Sequence, residues 1–122
     1  MAEPPGNMPT QIAWEGDSKD VLSRFPAEVK STLGFSLRQI QNGWFPRCEH
    51  RPMPSVGKGV WELKDGDART WYRVMYLTRI NNVVHVLHCF EKDSRKTDRR
   101  DIAVAKSRLS EVQQRLKGSK NQ

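Results

Sequence analysis

The chain has 122 residues and a mass of 14.1 kDa, a length that suits one domain with a core of its own. Lys plus Arg number 21 against 14 Asp plus Glu, giving a formal charge of +7 and a pI of about 9.8, which points to a polyanionic or acidic partner and says nothing of fold. Two cysteines, Cys48 and Cys89, exclude a disulfide framework and make a reducing cytoplasm the expected compartment; the longest apolar stretch, Val83 to Phe90, is broken by His85 and His88, so no membrane-spanning helix is expected, and the N-terminus lacks the pattern of a signal peptide.

Residues 1–11 hold three prolines and little to bury and read as a mobile arm. The domain is then expected over 12–117, with 118–122 as a frayed tail. Asp17 or Ser18 can cap a short helix carrying Val21, Leu22 and Phe25 on one side. Pro26 suits the first position of a second helix, where Val29, Leu33, Leu37 and Ile40 recur at helical spacing. Asn42-Gly43 ends it. Trp44 to Met53 reads as irregular, with Pro46, Pro52 and Pro54 opposing regular pairing.

Lys58 to Leu63 reads as a strand, Asp65-Gly66-Asp67 as a turn, Thr70 to Ile80 as a long strand, and Val83 to Glu91 as its return across the tight turn Asn81-Asn82. Thr97 or Asp98 caps a last helix on which Ile102, Ala105, Leu109, Val112 and Leu116 recur at three and four. The fold class is therefore α+β: two N-terminal helices, a twisted antiparallel sheet of three to four strands, and a C-terminal helix.

The two-residue turn fixes a register in which Trp71 faces Lys92, Arg73 faces Phe90, Met75 faces His88 and Leu77 faces Val86, all on one side of the sheet. Away from the turn that side gathers Arg73, His88 and Lys92 with Trp71 and Phe90 between them. Cations for phosphates beside rings for splayed bases suit RNA; a strand-edge arginine paired with a nearby acid is the alternative. The basic charge is concentrated from Lys92 onward, +6 over the last 31 residues, densest in Lys92 to Arg100, and a solvated helix entrance would read the same way. Arg99 and Arg100 oppose the dipole of the helix they begin, which suggests that they face an anion. Cys48, His50, His88 and Cys89 do not make a zinc site, since neighbouring strand residues point to opposite faces. No metal or other cofactor is expected, and Gly57-Lys58-Gly59 is too short for a phosphate loop.

Gly59-Val60-Trp61-Glu62-Leu63, Tyr72-Arg73-Val74-Met75-Tyr76, Val86 to Ser94 and Ile102 to Leu109, in this order, resemble the RelE/ParE toxin superfamily and, within it, the phage-related HigB-like branch. The resemblance runs from about Ile12 to Leu116 and implies a RelE-like fold. It implies the toxin half of a type II toxin–antitoxin pair, a metal-independent endoribonuclease that cuts mRNA on the ribosome and so inhibits translation. A ParE-like inhibitor of DNA gyrase and a non-catalytic basic RNA-binding protein of phage origin remain alternatives.

The resemblance also assigns residues. Arg73 would hold the scissile phosphate and Lys92 the cleft after the last strand, with Arg95 and Lys96 beside it. Such cleavage needs a base for the 2′-hydroxyl, cations for the phosphorane and an acid for the leaving oxygen. Glu62 is the carboxylate candidate for the base, and His88, which ordinarily titrates near neutrality, for acid or base; a surface glutamate paired to a strand neighbour and a satisfied structural histidine are the respective alternatives. Asp93 would orient Lys92. Lys58, Trp71, Arg95, Lys96, Arg99 and Arg100 would contact RNA. The sequence departs from the family pattern at Asp93, where many members have a second lysine, and it lacks the C-terminal tyrosine of some relatives. The implied partners are the ribosome with its mRNA and a helix-turn-helix antitoxin, in a possible heterotetramer, with Phe25, Phe35 or Trp44 on the helix pair as anchors; no membrane is implied.

Overall fold

The computed structural model describes residues 10–66, 69–80, 82–93 and 98–120. The elements run β1 (Gln11–Trp14), α1 (Ser18–Ser23), α2 (Ala27–Gln41), β2 (Glu49–Pro52), β3 (Val60–Gly66), β4 (Trp71–Ile80), β5 (Val83–Lys92) and α3 (Arg99–Lys120). One five-stranded sheet, ordered β1-β5-β4-β3-β2, carries α1 and α2 on one face and α3 on the other. The class is α+β, as expected from the sequence, but the sheet has five strands and is mixed, because β1 runs parallel to β5.

Both additional strands lie at sheet edges, where local patterning is weakest. β1 is four residues with one strongly aliphatic position, Ile12, and its pairing depends wholly on β5, more than sixty residues away in sequence. Its start is fixed by Gln11 N–H donating to Asn82 O at 2.9 Å. β2 occupies the Pro-flanked segment expected to be irregular. An edge strand tolerates proline where a central one does not, and Pro52 closes the ladder opposite Trp61.

The helix ends follow local chemistry. α2 begins one residue after Pro26, whose carbonyl accepts from Lys30 N–H at 2.8 Å, so the proline caps the helix instead of opening it. At the other end Gly43, at φ +78°, lets Trp44 N–H reach Gln39 O at 2.9 Å, the wrap-around expected of a left-handed glycine past the last turn. α3 continues through Lys120, into the segment expected to fray. Phe25, expected to be exposed, is buried: its ring lies 4.9 Å from that of Tyr72, and the stretch between the helices turns it into the sheet.

Two apolar clusters sandwich the sheet. Leu22, Val29, Leu33 and Leu37 meet Leu63, Val74, Val84 and Val86 on one face; Ala105, Leu109 and Val112 of α3 meet Val60, Met75, Leu77 and Leu87 on the other. The β4–β5 register is the expected one from Trp71–Lys92 to Met75–His88 and again at Ile80–Val83. Between them two irregularities shift it by one, so Tyr76 faces Val86 and Leu77 faces His85, not Leu87 and Val86. The extra residue on β5 brings both Leu87 and His88 to the α3 side, since a bulge breaks the strict alternation of faces. Asn82 sits at φ +63°, as the tight turn requires; its neighbour Asn81 is outside the described residues.

Candidate functional site

Alternation along β3 and β4 puts Glu62, Lys64, Trp71 and Arg73 on the α3 side, beyond the apolar patch that α3 covers. Glu62 is opposite Met75, which makes Arg73 its diagonal neighbour; Arg51 of β2 lies directly opposite Glu62. The result is a polar row across three strands. Glu62 Oε1 accepts from Arg51 Nε at 3.0 Å and from Arg73 Nη1 at 3.3 Å. Glu62 and Arg73 are both 0% exposed, whereas Arg51 is 47% exposed. Burial pushes the Arg73 pKa below its ordinary value despite the opposing field of Glu62. A fully buried ion pair carries a desolvation cost that apolar packing would avoid. Arg73 was expected at an open end of the sheet, with pairing to a nearby acid as the alternative; it is fully buried and paired with Glu62.

Around the row stand further cations. Lys64 Nζ lies 4.9 Å from the centroid of the Trp71 ring and 3.0 Å from Glu49 Oε2. Lys92 is opposite Trp71, as expected, but its ion-pair partner is Asp98, not Asp93, at 2.8 Å. That contact holds the Asp98 carboxyl below the usual range, helped by the Arg100 N–H. Arg99 and Arg100 are exposed in the first turn of α3. Arg95 and Lys96 lie outside the described residues. Lys58 is exposed in the turn before β3 and borders Trp61, whose ring packs toward α2, so it does not join the row.

His88 is held on every side. Its ring stacks on Phe90 at 4.8 Å with an 18° interplanar angle. Nε2 is 2.9 Å from Asp101 Oδ1, and Nδ1 is 3.4 Å from Arg108 Nη1. A guanidinium only donates, so Nδ1 accepts and Nε2 carries the proton given to Asp101. Both ring nitrogens are therefore engaged with α3. Arg108 also donates to Leu87 O at 2.9 Å and to Asp17 Oδ1 at 2.9 Å, so the expected capping residue of α1 directs its carboxylate to α3.

A second polar group anchors β1. Glu15 accepts from Arg115 at 2.7 Å and pairs with His85 Nδ1 at 3.0 Å. Burial works to raise the Glu15 pKa, but the hydrogen bonds and charges of Arg115 and His85 together hold it below the ordinary value.

Of the residues singled out in the sequence, Arg73, Glu62, Trp71 and Lys92 converge on one end of the α3-side face, with His88 at its border. Arg51, Lys64, Asp101 and Arg108 were missed. Lys64 had a signal, standing two residues from Glu62 on the same face; Arg51 had none, since its segment read as irregular. A family model described as Phage derived protein Gp49-like (DUF891) matches residues 20–110, which runs from within α1 to the middle of α3 and includes the whole row. No curated protein matches the chain.

Proposed function

The chain belongs to this Gp49-like, phage-derived family, toxins of toxin–antitoxin pairs of the RelE/HigB type, and from that premise we propose that it is an endoribonuclease that cuts mRNA on the ribosome without a metal. The observation that carries the reading is the buried Arg73–Glu62 pair with Arg51 on the same carboxylate oxygen, ringed by Lys64, Trp71 and Lys92. Cleavage through the 2′-hydroxyl concentrates negative charge on the phosphorane, and pre-placed guanidiniums that need no reorganisation are the means of stabilising it. Arg51, half exposed, meets the phosphate first; Arg73 beneath fixes the carboxylate that orients Arg51. Glu62, fully buried and accepting from both guanidiniums, serves the site by orienting Arg51. His88, with both nitrogens taken by α3, serves the site by supporting Phe90 and the strand end.

A helix-turn-helix antitoxin is the partner this reading requires, and Phe35, 51% exposed on α2, is the anchor it would find on the helix pair. Among the described residues no helix is long and apolar enough to cross a membrane.

The test is translation in a ribosome-based extract with a defined mRNA. The expected result is arrest with mRNA cut at discrete positions, abolished in Arg51→Ala. Arrest with intact mRNA would refute the nuclease reading, and DNA damage signalling in cells with intact mRNA would mark a gyrase inhibitor instead.

A further inference from the structure

We propose that the aromatic cleft on the α2 side of the sheet is a stacking subsite for an unpaired base of the RNA strand whose phosphate the Arg51–Glu62–Arg73 row holds; this rests on the RNA-cleaving reading above. The cleft has a volume of about 360 Å³ and is walled chiefly by Ile40, Trp44, Phe45, His50, Trp61 and Tyr76. That is the small end of ligand clefts, which run from about 300 to 1,000 Å³, and it suits one flat ring.

Its rings form a row. Phe45 stacks near His50 with centroids 6.5 Å apart and planes at 26°, and His50 lies 5.8 Å from Trp61 at 42°. His50 Nδ1 is 3.0 Å from Cys48 O; a carbonyl only accepts, so Nδ1 carries the proton and the ring is fixed in place. Phe45, at the end of the row, is 85% exposed and Trp44 is 41% exposed. A ring as exposed as that of Phe45 contributes little to folding, and a row of π-faces is what a nucleobase stacks on irrespective of its identity.

Charge and topology favour nucleic acid over a protein segment. Arg47 is exposed one residue beyond Pro46, and Lys58 is exposed on the far side of Trp61, the residue shared between this cleft and the shallow pocket beside it. An amphipathic helix seeks aliphatic anchors at helical spacing, whereas among the described residues of the lining the aromatic rings outnumber the aliphatic side chains, Ile40 and Pro46. β2 is the outermost strand, and its consecutive residues His50 and Arg51 serve opposite faces, one in the cleft and the other in the row. A single strand therefore passes from row to cleft around one edge strand.

The test uses fluorescence anisotropy of a labelled single-stranded RNA of about ten nucleotides with the full chain, beside mRNA cleavage on ribosomes. Phe45→Ala, which touches no core, is expected to weaken RNA binding about tenfold, in the range measured for removal of one stacked base. Phe45→Trp should bind like wild type and Phe45→Leu like Phe45→Ala. Unchanged affinity in Phe45→Ala, or full recovery in Phe45→Leu, would overturn the subsite and leave the cleft to an apolar protein partner. Wild type that binds no RNA yet cuts mRNA on ribosomes overturns the subsite alone; wild type that neither binds nor cuts overturns the nuclease reading with it.

Discussion

Replacing one member of the buried pair should not cost what replacing the other does. Glu62 Oε1 is shared between a fully buried guanidinium at 3.3 Å and a half-exposed one at 3.0 Å. At an effective dielectric of 20, unit charges at the closer of such separations attract by about 5.5 kcal/mol, an attraction that the desolvation of both groups largely offsets. In Glu62→Leu the Arg73 charge stays buried without its carboxylate, and the nearby Arg51 repels it until that side chain swings into water. Breaking a buried pair in this way costs about 3–5 kcal/mol. In Arg73→Met the carboxylate keeps the Arg51 N–H, and the destabilisation is closer to that of one charge-assisted hydrogen bond, about 1.5–3 kcal/mol.

The double variant Glu62→Leu/Arg73→Met removes both buried charges and fills their space with apolar groups, an exchange that is often neutral. It should therefore be more stable than Glu62→Leu alone. Urea unfolding followed by tryptophan fluorescence gives all three values from one protocol. The reasoning fails if Arg73→Met proves the more damaging single change, or if the double variant is destabilised by the sum of the two single effects.

Two further outcomes follow from the polar contacts. Because the Glu15 carboxyl sits below its ordinary pKa of 4.5 in the folded chain, its contribution to stability is complete above about pH 4.5 and disappears as pH falls through the lower folded value; the stability gap between wild type and Glu15→Gln should narrow on acidification, and a gap constant between about pH 7 and 3 would contradict it. Neutralising Arg99 and Arg100 together should lower the slope of log K against log salt for single-stranded RNA by about 0.7 for each phosphate that the two arginines neutralise in the wild type, and an unchanged slope would make that turn a solvated helix entrance.

What the sequence disclosed follows the range of the forces involved. Val29, Leu33 and Leu37, or Ala105, Leu109 and Val112, announce their helices because burial imposes a period that three or four turns repeat. β4 and β5 announce themselves through a tight turn and β-branched runs. β1 and β2 do not, since each is four residues at a sheet edge and is held by partners distant in sequence or by a ladder that proline ordinarily opposes. The same limit misplaced Phe25: its spacing put it on the apolar side of the first helix without saying what covers that side, and its burial depends on where Tyr72 arrives from the sheet.

The site divides along the same line. Register from one turn was enough to collect Arg73, His88 and Lys92, because the two irregularities between the turn and the site cancel and restore the original pairing beyond Met75. It could not say which carboxylate each would meet. Glu62 was read as a base or as paired to a strand neighbour, and Arg73 as a phosphate-facing cation or as paired with a nearby acid; the two form one buried ion pair, and the third member, Arg51, comes from an edge strand the sequence did not reveal. His88, read either as a proton-transfer group or as a structural histidine, is bound on both nitrogens by α3, through residues thirteen and twenty positions away, as the structural reading has it. Charge pairing between elements is thus the step at which a pattern of residue types becomes a site. The cleft on the other face, assembled from α2, the loop after it, β2, β3 and β4, is a product of that step and has no one-dimensional trace beyond the adjacent Trp44 and Phe45.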